Sequence, residues 1–335
     1  ALAHANYISL NGSGEGHDET PGKPGFTGAT PSARAQAAGY AAGASENISH
    51  TGNEVAGSVF TDILVDAPFH RSTQFSTYLE AGTGAKPRTA PSDAWMTSYV
   101  INFGGNDPSA SLNNKLWSYP SPGQSETYLD WIVFESPSPM PDYDGKRVGY
   151  PITLHAANGK TLTPSTFSLT DSSGNPVTVR AVTSMNLKAL AAFKDLGGYA
   201  LWIPLSPLSA GMTYTASATG KLDGKDFSVK WSFTTLAATP IQLTADQPGF
   251  SGPNSRVKLT LAGGSKRYEH KSATWHYDYA MPSYPDISIK QVDRNEWVLI
   301  RDATACANTS STCGKATIVF TDTAGNEITK TLTIQ

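Results

Sequence analysis

The chain has 335 residues, too many for one compact core, which points to two or three domains. Only 16% of residues are charged, against about 25% in an average protein, while Gly (30) and Pro (22) are frequent; this balance suits an extracytoplasmic, β-rich protein. A net charge of −3 and a pI near 6.2 leave no basic stripe for nucleic acid, and no apolar run is long enough to predict a transmembrane segment.

The chain opens inside a helical pattern, with Ala3, Tyr7 and Leu10 on one face and Asn11-Gly12 closing it. No signal peptide is visible, so the reading expects an N-terminus already lost by processing. Residues 13–30 form a loop carrying Glu15, His17, Asp18 and Glu19. Thr30-Pro31 supplies an N-cap and an N1 proline for a short helix stopped at Gly39. Glu46 to Ser49 reads as a helix-like run. Asn53 caps the next helix, whose apolar face is Val55, Val59 and Ile63 with Phe60 and Leu64. Pro68 ends that helix, leaving Asp66 on its last turn and His70 just beyond. Trp95 to Phe103 reads as a strand, so this region is mixed α and β.

Prolines at 120, 122, 137, 139, 141 and 151 mark a boundary, with one strand predicted at Tyr128–Phe134. Short strands follow at Thr153–His155, Phe167–Thr170, Val177–Val179, Ala200–Ile203, Thr213–Ala216 and Val229–Phe233. Asn158-Gly159 and Ser173-Gly174-Asn175 supply turns, and the spacing predicts a β-sandwich. Residues 237–335 repeat the theme, with strands at Val257–Leu261, Ile287–Lys290, Glu296–Ile300, Ala316–Phe320 and Lys330–Ile334 and a hairpin turn at Asp322–Asn326. The expected domains are therefore 1–117, 118–236 and 237–335. Cys306 and Cys313 flank a turn-like interval with no base beside either thiol, which predicts a disulfide and an oxidising compartment. Asn47-Ile48-Ser49 and Asn308-Thr309-Ser310 fit the glycosylation pattern, which is common by chance.

Four of the seven histidines, His4, His17, His50 and His70, fall in the first 70 residues. His17 and His70 with Glu46 form a ligand set for a divalent transition metal with open positions. The alternative is structural: one His caps a helix, another is solvated, and Glu46 accepts backbone N–H groups. His4 reads as a partly buried helix histidine, His50 as solvated and Arg71 as structural. Trp275, His276, Tyr277, Tyr279 and Tyr284 are either a sugar-stacking platform or strand residues alternating between core and surface. Asp142-Tyr143-Asp144-Gly145 lacks the downstream Glu of a calcium loop. No zincin motif, nucleophile elbow or phosphate-cradling loop occurs.

The order of motifs carries more. His17 in a Gly-rich loop, Phe26-Thr27-Gly28, Arg34 to Tyr40, Glu46-Asn47-Ile48, Pro68-Phe69-His70-Arg71 and Glu80 to Gly84 resemble the bacterial branch of the CAP (SCP/TAPS) superfamily. The resemblance spans about residues 1–105. It implies an N-terminal α-β-α sandwich, here lacking the first helix, and a cleft of two histidines and two acids that in some members holds zinc or another divalent ion. His17 and His70 match the cleft histidines and Glu46 one acid. Asp66 is the choice for the second acid, with Asp62 as its rival and Leu64 where a Trp is usual. Trp231 to Thr235 resembles the last strand of bacterial immunoglobulin-like domains.

The expected molecule is thus a multidomain α+β protein: an α-β-α sandwich followed by two all-β immunoglobulin-like sandwiches, secreted, periplasmic or on the cell surface. The expected function is non-enzymatic. A His/acid cleft binds a divalent metal, zinc above others, and a small-molecule, glycan or protein ligand, while the β-sandwiches serve as spacer or adhesive modules. The alternative is a metal-dependent, peptidase-like hydrolase with zinc on His17 and His70 and Glu46 as catalytic base.

Overall fold

The computed structural model describes residues 1–12, 14–51, 57–87, 89, 97–106, 112, 114–182, 197–277, 287–301 and 314–335. The chain divides into two compact units, Ala1–Gly52 with Thr61–Ala237 and Asn53–Phe60 with Ala238–Gln335.

Helix α1 (Leu2–Asn11) buries His4, Ala5, Tyr7, Ile8 and Ser9 and stops at Gly12, whose φ of 96° suits a residue without Cβ. In α2 (Pro31–Ala37) the Thr30 hydroxyl accepts the Ala33 N–H, the cap that the sequence predicts. Strand β1 (Ala44–Thr51) replaces the helix-like run expected over Glu46–Ser49: tertiary pairing overrides a weak local preference. Pro68 does end α3 (Gly57–Asp66), but its fixed φ also starts α4 (Pro68–Gln74), so His70 lies on a helix. Strands β2 (Tyr78–Pro87) and β3 (Thr97–Asn106) complete an antiparallel sheet of order β1-β3-β2. Helix α1 packs on it so closely that a Cβ on Gly84 would stand 2.4 Å from the Leu2 backbone.

The α-β-α sandwich implied by the resemblance is not what forms. Among the described residues four α-helices of 7 to 10 residues stand against twenty strands, so the chain is mostly β. Helices of that size span only about 10–15 Å and do not cover both faces of a sheet. Helix α4 serves another core: its Phe69 packs with Trp131, Met140, Tyr199 and Ile203 of the following β region.

That region is a seven-stranded sandwich. Its strands are β4 (Leu116–Tyr119), β7 (Ile152–Ala156), β8 (Leu162–Asp171), β9 (Val179–Val182), β10 (Tyr199–Pro204), β11 (Thr213–Leu222) and β12 (Lys225–Thr234). A short hairpin of β5 (Asp130–Ile132) and β6 (Arg147–Gly149) is inserted after the first strand. One sheet runs β4-β7-β10-β9 and the other β12-β11-β8, which is the first-second-fifth-fourth and third-sixth-seventh order of an immunoglobulin constant-type domain. Trp202 stacks on Phe167 at 4.1 Å between the sheets. Near the start of β11 the Tyr214 hydroxyl accepts the Ser209 N–H at 2.8 Å, the tyrosine corner of such domains.

The second unit carries β13 (Gln242–Ala245), β14 (Gly249–Phe250), β15 (Arg256–Ala262), β16 (Tyr268–Tyr277), β17 (Ile287–Asp293), β18 (Glu296–Arg301), β19 (Gly314–Asp322) and β20 (Glu327–Ile334). Sheets β13-β15-β18-β17 and β14-β20-β19-β16 give the same order again, with β14 added parallel to the last strand. Val257, Leu259, Leu261, Trp297, Leu299, Ile318, Phe320 and Leu332 form its core. Trp275 is half-buried against this core, which favours the strand-packing reading; Tyr279 and Tyr284 lie outside the described residues. Cys306, Cys313 and Asn308 also lie outside them.

Candidate functional site

The polar residues of the N-terminal region gather around Glu46, which β1 carries beneath α1 and α2. Its carboxylate is nearly saturated. The Arg34 guanidinium donates to Oε1 at 3.0 Å and Oε2 at 2.9 Å, and Asn102, opposite Glu46 on β3, donates to Oε2 at 2.9 Å. His17 Nδ1 lies 3.1 Å from Oε1, and His4 Nε2 lies 3.5 Å from the same atom. Burial pushes the Glu46 carboxyl up, but His17, His4, Arg34 and Asn102 together outweigh it and hold the group below its ordinary value.

A second acid stands behind the first. Glu19 accepts the backbone N–H groups of Thr27 and Gly28, and His4 Nδ1 lies 2.9 Å from its Oε1. His4 Nε2 also meets the Gly16 carbonyl at 3.0 Å, so this histidine, buried on α1, also joins the helix to the following loop. Both acids and His4 have side chains no more than 1% exposed, whereas His17 is 52% exposed.

His70 belongs to another arrangement. Its Nδ1 lies 2.6 Å from Glu135 Oε1, and the buried Glu135 carboxylate also accepts the Phe69 N–H at 3.1 Å and the His70 N–H at 2.8 Å. Ala67, at the N-cap of α4, has no capping side chain, so Glu135 supplies the cap from 65 residues away while orienting the imidazole. Asn47 donates to the His70 carbonyl at 2.8 Å. Glu46 and Asn47 are successive on β1 and project to opposite faces. The hydrogen bonds therefore anchor His17 from one face and the His70 main chain from the other, and do not build one cleft around both imidazoles.

The remaining expectations sort as follows. Asp66 accepts the Tyr150 hydroxyl at 2.7 Å, Asp62 is half-buried on α3, and His50 is half-buried on β1. Arg71 is structural and fully buried: it donates to the Val65 and Pro151 carbonyls and lies over the rings of Tyr119 and Tyr150. Asn47 is 2% exposed, too buried to carry a glycan. In the calcium-like loop Asp142 pairs with Arg180 and Asp144 with Ser138.

The donor set does not fit a zinc ion as it stands. Glu46 spends both oxygens on Arg34 and Asn102, and the hydrogen bonds tie His17 to Glu46 and His70 to Glu135, two separate acids. Among the described residues no group of three or more His, Cys, Asp or Glu is placed to hold a metal. Glu19, Arg34, Asn102 and Glu135 were not singled out as site residues by sequence. Arg34 had a signal in its motif, but Glu135, in a proline-rich stretch, had none.

Beside the cluster lies a pocket of about 320 Å³ between α1, α2 and the three-stranded sheet. Ala3, Ala38, Ala81 and Phe103 make its walls mostly apolar, and His4, Arg34 and Asn102 bring the polar cluster to one side. The Tyr40 hydroxyl donates to Glu80 across its lining, which raises the Tyr40 pKa.

No family model and no curated protein matches the sequence. Among solved structures the chain is similar to a chimeric titin Z1Z2 (16% identity, 55% of this chain and 86% of that one, TM-score 0.29). It is also similar to the S-layer protein SbsC domains 4 and 5 (14%, 66% and 98%, TM-score 0.24). A third is the adhesin InvE of Yersinia pseudotuberculosis (10%, 67% and 59%, TM-score 0.22). Superpositions this loose carry no argument, and the immunoglobulin order of both sandwiches rests on their own strand pairing and, in the first, its tyrosine corner.

Proposed function

We propose that the chain is a non-enzymatic binding module of an extracytoplasmic protein, in which the N-terminal α/β region takes a small ligand and the two sandwiches act as spacer or adhesive units at an envelope or host surface. The pocket carries this reading. Its volume of about 320 Å³ lies within the roughly 300–1,000 Å³ of small-molecule sites, with apolar walls and a few polar groups on one side. The low charged fraction supports the compartment. Against a hydrolase stands the state of Glu46, whose carboxylate already accepts from Arg34 and Asn102 and is held below its ordinary pKa, which makes it a weaker base.

The test is a thermal-shift screen of the whole chain against small, mostly apolar compounds carrying one polar group. Hits on the native protein that vanish in Ala38→Trp, which fills the pocket, support the reading. Hits indifferent to Ala38→Trp, or cleavage of peptides abolished by Glu46→Gln, would overturn it.

A further inference from the structure

We propose that the outer edge of β2 is an interface at which a second copy of this chain pairs antiparallel, about a two-fold axis through Thr83. The inference goes beyond the ligand reading and does not depend on what the pocket holds.

Strand β2 is the outermost of its sheet: β3 pairs along one side of it, and among the described residues no strand pairs along the other. Residues 79–83 and 85–87 are exposed. Such an edge presents a row of unpaired N–H and C=O groups, which proteins commonly blunt with charges, prolines, bulges or very short strands. Between Glu80 and Lys86 the chain carries none of these devices. The open run ends at Pro87, which lacks an N–H and gives its carbonyl to the Ser9 hydroxyl at 2.5 Å.

That run is its own complement. Glu80-Ala81-Gly82-Thr83-Gly84-Ala85-Lys86 reads the same in both directions about Thr83, except that its ends carry opposite charges. In an antiparallel pair centred on Thr83, Ala81 faces Ala85 of the second copy, Gly82 faces Gly84, and Glu80 faces Lys86 at both ends. Unlike charges directly across a ladder stabilise it and like charges destabilise it. Among the described residues Lys86 forms no ion pair, and Glu80 accepts the Tyr40 hydroxyl on Oε2 while Oε1 stays open.

Gly82 points to the partner most directly. A Cβ on it meets no atom within 4 Å and its φ is not positive, so its own chain gives no reason for a residue that weakens a strand. The second copy supplies one. Gly82 and Gly84 share a face of β2, the face on which the Leu2 backbone stands 2.4 Å from a Cβ on Gly84. Directly opposed Cβ positions lie about 4.5–5.5 Å apart across a ladder. A side chain at position 82 of the second copy would therefore rise against Leu2, and glycine lets α1 and the incoming strand share that space.

The experiment is sedimentation velocity of the full chain over a range of concentrations, with circular dichroism to follow folding. The native chain is expected to move from one chain mass toward two as concentration rises. Gly82→Val adds a β-branched residue where its own chain has room, and is expected to stay folded and monomeric. Glu80→Lys and Lys86→Glu each set like charges across the axis and are expected to raise the dimer Kd about tenfold. Mixed in equal amounts, these two variants are expected to pair with each other as tightly as the native chain does, because both ends of the ladder then join unlike charges. A native chain that stays monomeric at every concentration overturns the proposal. So does a dimer that survives a folded Gly82→Val, or one that the mixed charge variants do not rebuild. Should Gly82→Val not fold, the mixture decides alone.

Discussion

Single side chains in this protein do several jobs at once, and Glu135 shows it best. Its carboxylate caps the first turn of α4 and fixes the His70 ring. Glu135→Ala leaves both amides and the imidazole unsatisfied and is expected to cost ~2–4 kcal/mol in denaturant unfolding. Glu135→Gln keeps an acceptor and should lose less. His155 gives a pH prediction. Burial, and then the nearby Arg71 charge, push its pKa down to about 3, against 6.5 unfolded. The unfolded chain therefore binds this proton between those values while the folded chain does not. The contribution to stability is complete above pH 6.5 and is lost progressively as pH falls toward 3. Unfolding curves across that range should fall less steeply for His155→Gln. Glu46, also held below its ordinary value, adds a further loss at more acidic pH as it protonates.

Elements owe their placement to close backbone approaches and to turns. A Cβ on Gly84 meets the backbone of Leu2, so Gly84→Val is expected to lift α1 from β2 at a cost of ~1–3 kcal/mol, read as faster hydrogen exchange in Leu2–Asn11. One turn device appears twice. Asp171-Ser172-Ser173-Gly174-Asn175 and Asp322-Thr323-Ala324-Gly325-Asn326 each place an Asp carboxylate on the N–H and side-chain amide of an Asn four residues later, around a glycine with φ of 84°. Asp322 is 3% exposed and also accepts the Ser265 N–H, tying this turn to the loop before β16. Asp322→Ala is expected to cost ~2–3 kcal/mol, more than Asp171→Ala at the exposed turn.

At the scale of the whole molecule, two sandwiches of one strand order account for most of the chain, and each depends on a buried tryptophan. Trp202 stacks on Phe167, and Trp297 packs on Phe320 at 4.8 Å. Trp202→Ala and Trp297→Ala are each expected to cost ~3–5 kcal/mol in chemical denaturation. Period-two runs such as Val257 to Leu261 announced strands directly, because one face of a sandwich strand is always core. Strand β16 is harder to see, since its polar and aromatic residues give no clean alternation, and over Glu46 to Ser49 of β1 no apolar alternation announces a strand.

From residue order alone came the N-cap at Thr30, the N1 proline at Pro31 and most sandwich strands, all properties of neighbours within a few positions, whereas the expected α-β-α sandwich did not follow from it. The same order offered His17, Glu46 and His70 as candidate site residues. Which groups meet was decided by tertiary structure, since hydrogen bonding joins residues far apart in sequence. Arg34 donates to Glu46, and Glu135, from beyond the three-stranded sheet in sequence, takes His70. A buried carboxylate accepts whichever donors the fold brings to it, and spacing along the chain does not reveal which those will be.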